Sequence, residues 1–160
     1  MKRPRVRVAK FGDVPQILDM IKEGHARSRY SGSTCVDERR AKALIMQSIQ
    51  RHGGVVEGST FVAVADTGER LEGFIIGVLQ PMYLVLDAIE ATDVFWYARP
   101  DAHGMTASRL LRAMHKWVPA GALIRHGNSD AISDADLSGR LLEQHGLRKS
   151  GGTYEKEKTK

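Results

Sequence analysis

The sequence predicts an α/β protein in which about four helices flank a mixed β-sheet. The patterns follow one another as β–α–α–β–β–β–α–β–α–β, an order typical of sheet-and-helix layers. Two almost continuous apolar runs, Thr60–Ala65 and Leu71–Leu79, are typical of strands covered on both faces. A strand, glycine turn and helix follow one another in Ala91–Val118. The 160 residues, Met1–Lys160, are predicted to form a single domain.

Composition narrows the classes of function. The chain has 24 Lys and Arg against 19 Asp and Glu, a formal net charge of +5, and this balance favours anionic ligands without naming one. The single cysteine, Cys35, excludes an intramolecular disulfide and has no cysteine partner for zinc, so we expect no metal site and a reducing compartment. No apolar run approaches bilayer-spanning length, and Met1–Lys10 lacks the apolar core of a signal peptide. We therefore expect a soluble cytoplasmic protein.

The N-terminal quarter predicts one strand and two helices. Val6–Ala9 alternates as a short strand, and Asp13 is placed to cap a helix that ends near Gly24. Asp37 similarly begins a second helix. The polar stretch between them, His25–Val36, is either a substrate-contacting loop or a plain connection.

The next elements predict an antiparallel hairpin. The second helix ends at His52–Gly54, and the two apolar runs Thr60–Ala65 and Leu71–Leu79 are joined by Asp66–Arg70, with glycine in the turn. Glycines within the second run indicate a bulge. The following segment, Pro81–Glu90, fits either a strand end or an irregular connection.

The central unit predicts an anion site. Val94–Tyr97 is β-branched and aromatic, as expected of a buried strand, and Pro100 ends it. One face of the following helix carries Ala107, Leu110, Leu111, Met114, Trp117 and Val118. The turn His103–Thr106 leads into this helix, whose first N–H groups lack backbone partners and attract phosphate or carboxylate. Gly104 permits close approach of a ligand. An ordinary connection between strand and helix remains the alternative.

The C-terminal part predicts a parallel strand and a last helix. Ala122–Arg125 follows the central helix, so it should run parallel to the central strand through a right-handed crossover. The last helix is predicted to begin at Ser133 or Asp134 and to end at Gly146. Its inward residues are predicted to be Leu137, Leu141 and Leu142. Leu147–Lys158 is predicted to be a hairpin-like strand region.

Over almost its whole length the chain resembles the GCN5-related N-acetyltransferases. The order of elements matches, and Ala98–Leu111, A-R-P-D-A-H-G-M-T-A-S-R-L-L, is similar to the family's pyrophosphate signature. Leu141–Leu147, L-L-E-Q-H-G-L, is similar to the motif that ends the family's last helix. The resemblance implies the acyl-CoA N-acyltransferase fold, acetyl-CoA as donor and direct transfer of the acetyl group to a primary amine.

The resemblance also implies which residues hold the donor. The family's pyrophosphate loop maps onto the turn and the helix start, where backbone amides would hold the diphosphate. The pantetheine lies between the family's two parallel strands and pairs with the first, which maps onto Phe95–Arg99. Arg99 or Arg109 would add charge at the nucleotide end. The implied cofactor-binding residues are Phe95, Tyr97, Arg99, His103, Gly104, Met105, Thr106, Ala107, Ser108 and Arg109.

Transfer requires a group that deprotonates the amine and a group that stabilises the departing thiolate. Asp93 on the central strand is the candidate base, near the place where some family members have a glutamate; Glu90 is less favoured, and either carboxylate could instead be a turn or cap residue. Asn128 and Ser129 are candidate donors on the thiolate side. Leu142 stands where many members have the tyrosine that protonates the thiolate, so that proton must come from another group or from water.

The acceptor stays open at this level: small amines, peptide N-termini, lysines, antibiotics and nucleotides all fit. A homodimer is also compatible with the sequence. A nucleic-acid-binding module is one alternative function, because Arg109, Arg112, His115 and Lys116 give the central helix a basic side. It is not favoured, since no stripe of stacking aromatics accompanies these residues. A catalytically degenerate CoA-binding subunit is the other alternative.

Overall fold

The computed structural model describes residues 3–127, 135–152 and 154–156. Its strands are β1 (Arg5–Val8), β2 (Thr60–Asp66), β3 (Leu71–Pro81), β4 (Ile89–Ala98) and β5 (Leu123–Arg125). Its helices are α1 (Val14–Ala26), α2 (Glu38–Gln50), α3 (Thr106–Trp117) and α4 (Ala135–Gln144). Short 3-10 turns cover Phe11–Asp13 and Met82–Leu84.

The strands form one mixed sheet in the order β1-β2-β3-β4-β5. β1 to β4 pair with one another antiparallel, and short connections link β2 to β3 and β3 to β4. β5 runs parallel to β4, and α3 forms the connection between these two strands. This arrangement confirms the predicted mixed sheet and the predicted direction of its last strand.

A β-bulge interrupts the pairing of β3 with β4. Ile76 pairs with Phe95 and Gly77 with Asp93, so Val94 is an extra residue on β4. A bulge bends its strand and changes the face to which the following side chains point. Ala91 therefore packs on the α3 side of the sheet, whereas Phe95 packs on the α1 side.

Helices cover both faces of the sheet, as the apolar runs of β2 and β3 predict. On one face α1 and α2 pack over a cluster formed by Ile17, Met20, Ile45, Val62, Val64, Phe74 and Ile76. On the other face α3 and α4 pack over Phe61, Ala63, Ile75, Leu79, Leu110, Leu111, Met114 and Leu142. Alternate side chains of β2 and β3 thus enter opposite clusters, which fixes the register of the sheet.

Three predictions for the C-terminal part are wrong. The described residues of Leu147–Lys158 contain no strand, because the segment has few apolar side chains to bury against the sheet. Tyr154 lies in this predicted strand region, for which core or edge packing is the safer expectation and substrate contact the alternative, and it is 98% exposed. Leu137 is 68% exposed, since only the C-terminal half of α4, with Leu141 and Leu142, packs on the α3 cluster. The predicted start of this helix lies outside the described residues.

Candidate functional site

β4 and β5 diverge to form a fork. They pair only from Glu90 to Thr92 on β4, after which β4 continues to Ala98 with β3 as its sole paired neighbour among the described residues. One backbone edge of Asp93–Ala98 is therefore not paired with any strand among the described residues. Backbone N–H and C=O groups at such an edge are ready to pair with an extended ligand.

The helix start after β4 leaves three donors without acceptors. Thr106 N–H donates to the carbonyl of His103 at 2.8 Å. Within the described part of the chain, the N–H groups of Gly104, Ala107 and Ser108 have no hydrogen-bond acceptor. These groups and the positive end of the α3 dipole can hold an anionic group such as a diphosphate.

A buried carboxylate fixes this turn from below. Glu72 of β3 is 2% exposed, and its Oε2 accepts the N–H of His103 at 3.1 Å and the hydroxyl of Thr106 at 3.2 Å. Trp96 Nε1 donates to the carbonyl of Ala107 at 3.2 Å. The turn is thus tied to two strands of the sheet. Sequence reasoning missed Glu72, although a lone charged residue inside the apolar run of β3 is a signal for such a role.

Both arginines predicted to meet the nucleotide have partners within the chain. Arg99 forms an ion pair with Glu23 of α1, Nη2 to Oε1 at 3.0 Å, and its buried Nε has no hydrogen-bond partner among the described residues. Arg109 Nη1 donates to the carbonyl of Pro4 at 2.9 Å. Each guanidinium is therefore engaged by another part of the chain, and neither is positioned to bind an anion at the free N–H groups of the turn.

The two aromatic residues predicted to flank the donor lie on the α1 side of β4. The rings of Phe95 and Tyr97 lie 6.1 and 6.4 Å from the ring of Phe74, measured between centroids. The hydroxyl of Tyr97 is buried without a hydrogen-bond partner in the described part of the structure. His103 Nδ1 accepts the N–H of Met105 at 3.2 Å, so this side chain stabilises the turn.

Asp93 lies where the fork opens and begins a chain of hydrogen bonds. Its Oδ1 accepts Nδ1–H of His126 at 2.8 Å and the N–H of Gly127 at 3.3 Å. Nε2 of His126 lies 2.9 Å from Nε2 of His115 on α3. The side chain of His126 is fully buried, and that of Asp93 is 12% exposed. The carboxylate is held in one orientation at the opening between the two strands.

A third histidine lies beside this chain. His145 Nε2 is 2.9 Å from Oγ of Ser108, and its ring meets that of His115 edge to face, with centroids 5.7 Å apart. Burial, followed by the charges of His126 and His145, lowers the pKa of His115 to about 4. Burial also lowers the pKa of His145, with a further effect of Arg112. The three histidines come from three separate segments, so no local motif could reveal them.

The other predicted catalytic residues differ in position from Asp93. Glu90 is buried in the sheet, where its Oε1 accepts Nε2–H of Gln80 at 2.8 Å and its Oε2 lies 3.3 Å from Arg125 Nη1. Those contacts hold the Glu90 side chain against neighbouring strands, whereas Asp93 lies at the opening of the fork. Asn128 and Ser129 lie outside the described residues.

In the described ranges, no group of three or more His, Cys, Asp or Glu residues is arranged to hold a metal ion. No helix among those residues is long and apolar enough to cross a membrane.

Of the four basic residues on the helix side proposed for nucleic acid, only Arg112 and Lys116 are exposed, which does not favour that alternative.

Comparison with known proteins identifies the fold. No protein-family model and no curated protein matches the sequence. Among solved structures, a ribosomal-protein-alanine N-acetyltransferase from Brucella melitensis biovar Abortus 2308 has a TM-score of 0.64 at 13% identity, over 96% of this chain and 99% of that one. An aminoglycoside acetyltransferase from an uncultured soil metagenomic sample has a TM-score of 0.65 at 11% identity, over 97% and 96%.

A third structure, a transcriptional regulator from Bacillus halodurans C-125, has a TM-score of 0.69 at 22% identity, over 96% of this chain and 99% of that one. The chain therefore has the fold of the GCN5-related N-acetyltransferases, as its sequence predicts. At these identities the likeness establishes the fold, and activity has to be argued from the site.

Proposed function

We propose that the protein is an acetyl-CoA-dependent N-acetyltransferase that transfers the acetyl group directly to a primary amine. The observation that carries the proposal is the fork between β4 and β5, which opens towards the end of the sheet where α3 begins. The unpaired strand edge and the free amides of the turn thus share one end of the sheet. An elongated donor with a diphosphate at one end and a thioester at the other matches both features.

The donor's diphosphate would be held by the turn. The free N–H groups of Gly104, Ala107 and Ser108 would donate to its oxygens, and Glu72 and Trp96 keep the turn in place. The pantetheine would pair with the unpaired edge of β4. Bound there, acetyl-CoA supplies an acetyl thioester at the opening of the fork.

Asp93 would act as the base. Its Oδ1 is occupied by two N–H donors, and Oδ2, which has no hydrogen-bond partner among the described residues, would accept a proton from the amine. The amine nitrogen then forms a bond to the thioester carbonyl carbon while the carbon–sulfur bond breaks. Asp93 can return the same proton to the departing thiolate, so the products are an amide and a free thiol and the carboxylate is regenerated. This route needs no tyrosine at position 142, where the chain has a buried leucine.

The acceptor would approach from the connection between α1 and α2. The C-terminal segment contacts that connection. Glu155 Oε2 accepts Nη2–H of Arg29 at 2.6 Å and the hydroxyl of Tyr30 at 2.7 Å. Charges of both signs therefore surround this side.

The test is release of free thiol from acetyl-CoA in the presence of a panel of primary amines, with mass spectrometry of the acceptor. Asp93→Asn keeps the size of the side chain but removes the base, so kcat should fall by about 10²- to 10⁴-fold. The matched control is Asp87→Asn, at an exposed position between β3 and β4, which should retain the wild-type rate. Equal rates for Asp93→Asn and wild type would contradict the role of Asp93. Binding of acetyl-CoA without turnover on the whole panel would instead indicate a degenerate CoA-binding subunit.

A further inference from the structure

We propose that Asp93, His126 and His115 form one proton-binding unit that takes up a single additional proton, and that the two histidines are positioning residues for the carboxylate. The unit joins β4, the residue after β5 and the last turn of α3. Its effect on catalysis rests on the proposed acetyl transfer, whereas its proton binding can be measured on the free protein.

The distance between the two rings limits the number of protons. The Nε2 atoms of His126 and His115 lie 2.9 Å apart, which is a hydrogen-bond distance. One nitrogen must therefore carry a hydrogen and the other a lone pair, since two hydrogens or two lone pairs would repel. The pair cannot hold a proton on each facing nitrogen and keep this contact.

The neighbouring carboxylate decides the tautomers of the unit without its extra proton. An ionised Asp93 only accepts, so Nδ1 of His126 carries a hydrogen and donates to Oδ1 at 2.8 Å. A neutral His126 then presents a lone pair at Nε2, and His115 must donate its own Nε2–H to that lone pair. The hydrogens of both rings thus point towards Asp93, and each ring fixes the orientation of the next.

One added proton rearranges the unit without moving a heavy atom. The added proton binds Nδ1 of His115, and the hydrogen on Nε2 of His115 passes to Nε2 of His126. His126 then carries hydrogens on both nitrogens, donating to Asp93 and to Nε2 of His115, while His115 carries its single hydrogen on Nδ1. The charge rests on His126 because that ring contacts the carboxylate, whereas burial and neighbouring histidines keep the pKa of His115 at about 4. His145 at the end of α4 faces the unit and opposes a second positive charge, and Arg112 of α3 acts in the same sense on His145.

The two states differ in how basic Asp93 is. With the histidine pair neutral, the carboxylate carries an uncompensated negative charge and Oδ2 can take a proton from the amine. With a proton on His126, the adjacent imidazolium stabilises the ionised carboxylate and makes it a poorer proton acceptor. The acetylation rate should therefore fall on the acid side of a transition that involves one proton.

The direct test follows the histidine ring nitrogens of the free protein by NMR against pH, using ¹⁵N-labelled histidine. The unit predicts that His126 and His115 respond in the same one-proton step, and that His126 carries its hydrogen on Nδ1 at the alkaline end. His115→Phe should move the midpoint of the step seen at His126, because coupled groups share their titration. His25→Gln, which lies outside the unit and pairs with Thr34, is the matched control and should leave that midpoint unchanged.

Separate titrations of the two rings, each insensitive to replacement of the other, would overturn the proposal. A hydrogen on Nε2 of His126 at the alkaline end would also overturn it. If His115→Phe does not fold, His126→Asn is the second variant. The asparagine amide N–H can still donate to Asp93. The shared proton step should then disappear from the titration of His115.

Catalysis provides a second readout. The pH profile of kcat for an accepted amine should have a one-proton acid limb in wild type. His126→Asn should move that limb, because only protonation of Asp93 would then set it, while leaving KM for acetyl-CoA unchanged. An unchanged limb in His126→Asn would contradict the catalytic consequence. Absence of any acetylation would contradict the proposed function. The NMR titration would still test the shared proton step independently.

Discussion

The buried carboxylate of Glu72 accepts a hydrogen bond from the hydroxyl of Thr106, the first residue of α3, at 3.2 Å. The carboxylate has two opposing effects on an anion that binds at this helix start. It orders the turn, because it also accepts the N–H of His103. It also places a negative charge beside the position that a diphosphate would take.

Glu72→Gln separates these effects. The amide oxygen of glutamine can still accept both hydrogen bonds, but the negative charge is gone. We expect CoA to bind about 3- to 10-fold more tightly at pH 7, as calorimetry would measure, because charges at this range interact by about 1 kcal/mol in a partly screened site. Thr106→Val, which removes one hydrogen bond and keeps the charge, should give no such gain. Weaker binding by Glu72→Gln would mean that ordering of the turn depends on the ionised carboxylate.

Two glycines of β3 provide a matched pair for stability. A Cβ at Gly73 would lie 2.7 Å from the carbonyl oxygen of Tyr97, which is backbone and cannot easily move. A Cβ at Gly77 would lie 2.7 Å from Cε of Met114, the flexible end of a side chain. We expect Gly73→Ala to lower the free energy of unfolding by about 2–3 kcal/mol and Gly77→Ala by about 1 kcal/mol or less. Urea denaturation monitored by circular dichroism checks this order, and the reverse order would show that the sheet moves more readily than Met114.

The ion-pair network at β1 predicts how stability depends on pH. The hydrogen bond from Arg7 is the main cause that lowers the pKa of Asp13, and the N–H of Gly68 followed by Arg7 lowers the pKa of Asp66. Both folded values lie below the unfolded value of about 3.9, so the stabilisation is complete above that pH and is lost as pH falls through the folded values.

Arg7→Met should weaken this dependence. We expect wild type to lose on the order of 1–2 kcal/mol from these two groups between about pH 5 and pH 2, and the variant to lose less over the same window. Denaturant unfolding at several pH values measures the difference. Arg5→Met, at an exposed position of the same strand, is the control and should keep the wild-type slope. Identical slopes for Arg7→Met and wild type would contradict the role of Arg7.

Local patterns were enough to predict the order of elements from β1 to α4, the direction of β5 and the turn at Gly104, because each depends on residues close in sequence. The bulge between β3 and β4 was also indicated by Gly77. The hydrogen bonds of Asp93 could not be predicted, since His126 and His115 are 33 and 11 residues from their partners in sequence. The strand predicted for Leu147–Lys158 failed because Tyr154 and Leu147 alone do not supply a face that the sheet can bury.

The most direct test of the account is a calorimetric titration with acetyl-CoA and with free CoA, on wild type, Gly104→Trp, Gly104→Ala and Gly12→Trp. A Cβ at either glycine would meet no atom within 4 Å, so all three variants should fold. Gly12 precedes α1, at the end of the sheet away from the turn. Gly12→Trp therefore places a side chain of the same size on a different part of the surface. We expect saturable binding to wild type, Gly104→Ala and Gly12→Trp, and its loss in Gly104→Trp. Absence of binding to folded wild type, or binding that survives Gly104→Trp unchanged, would contradict it.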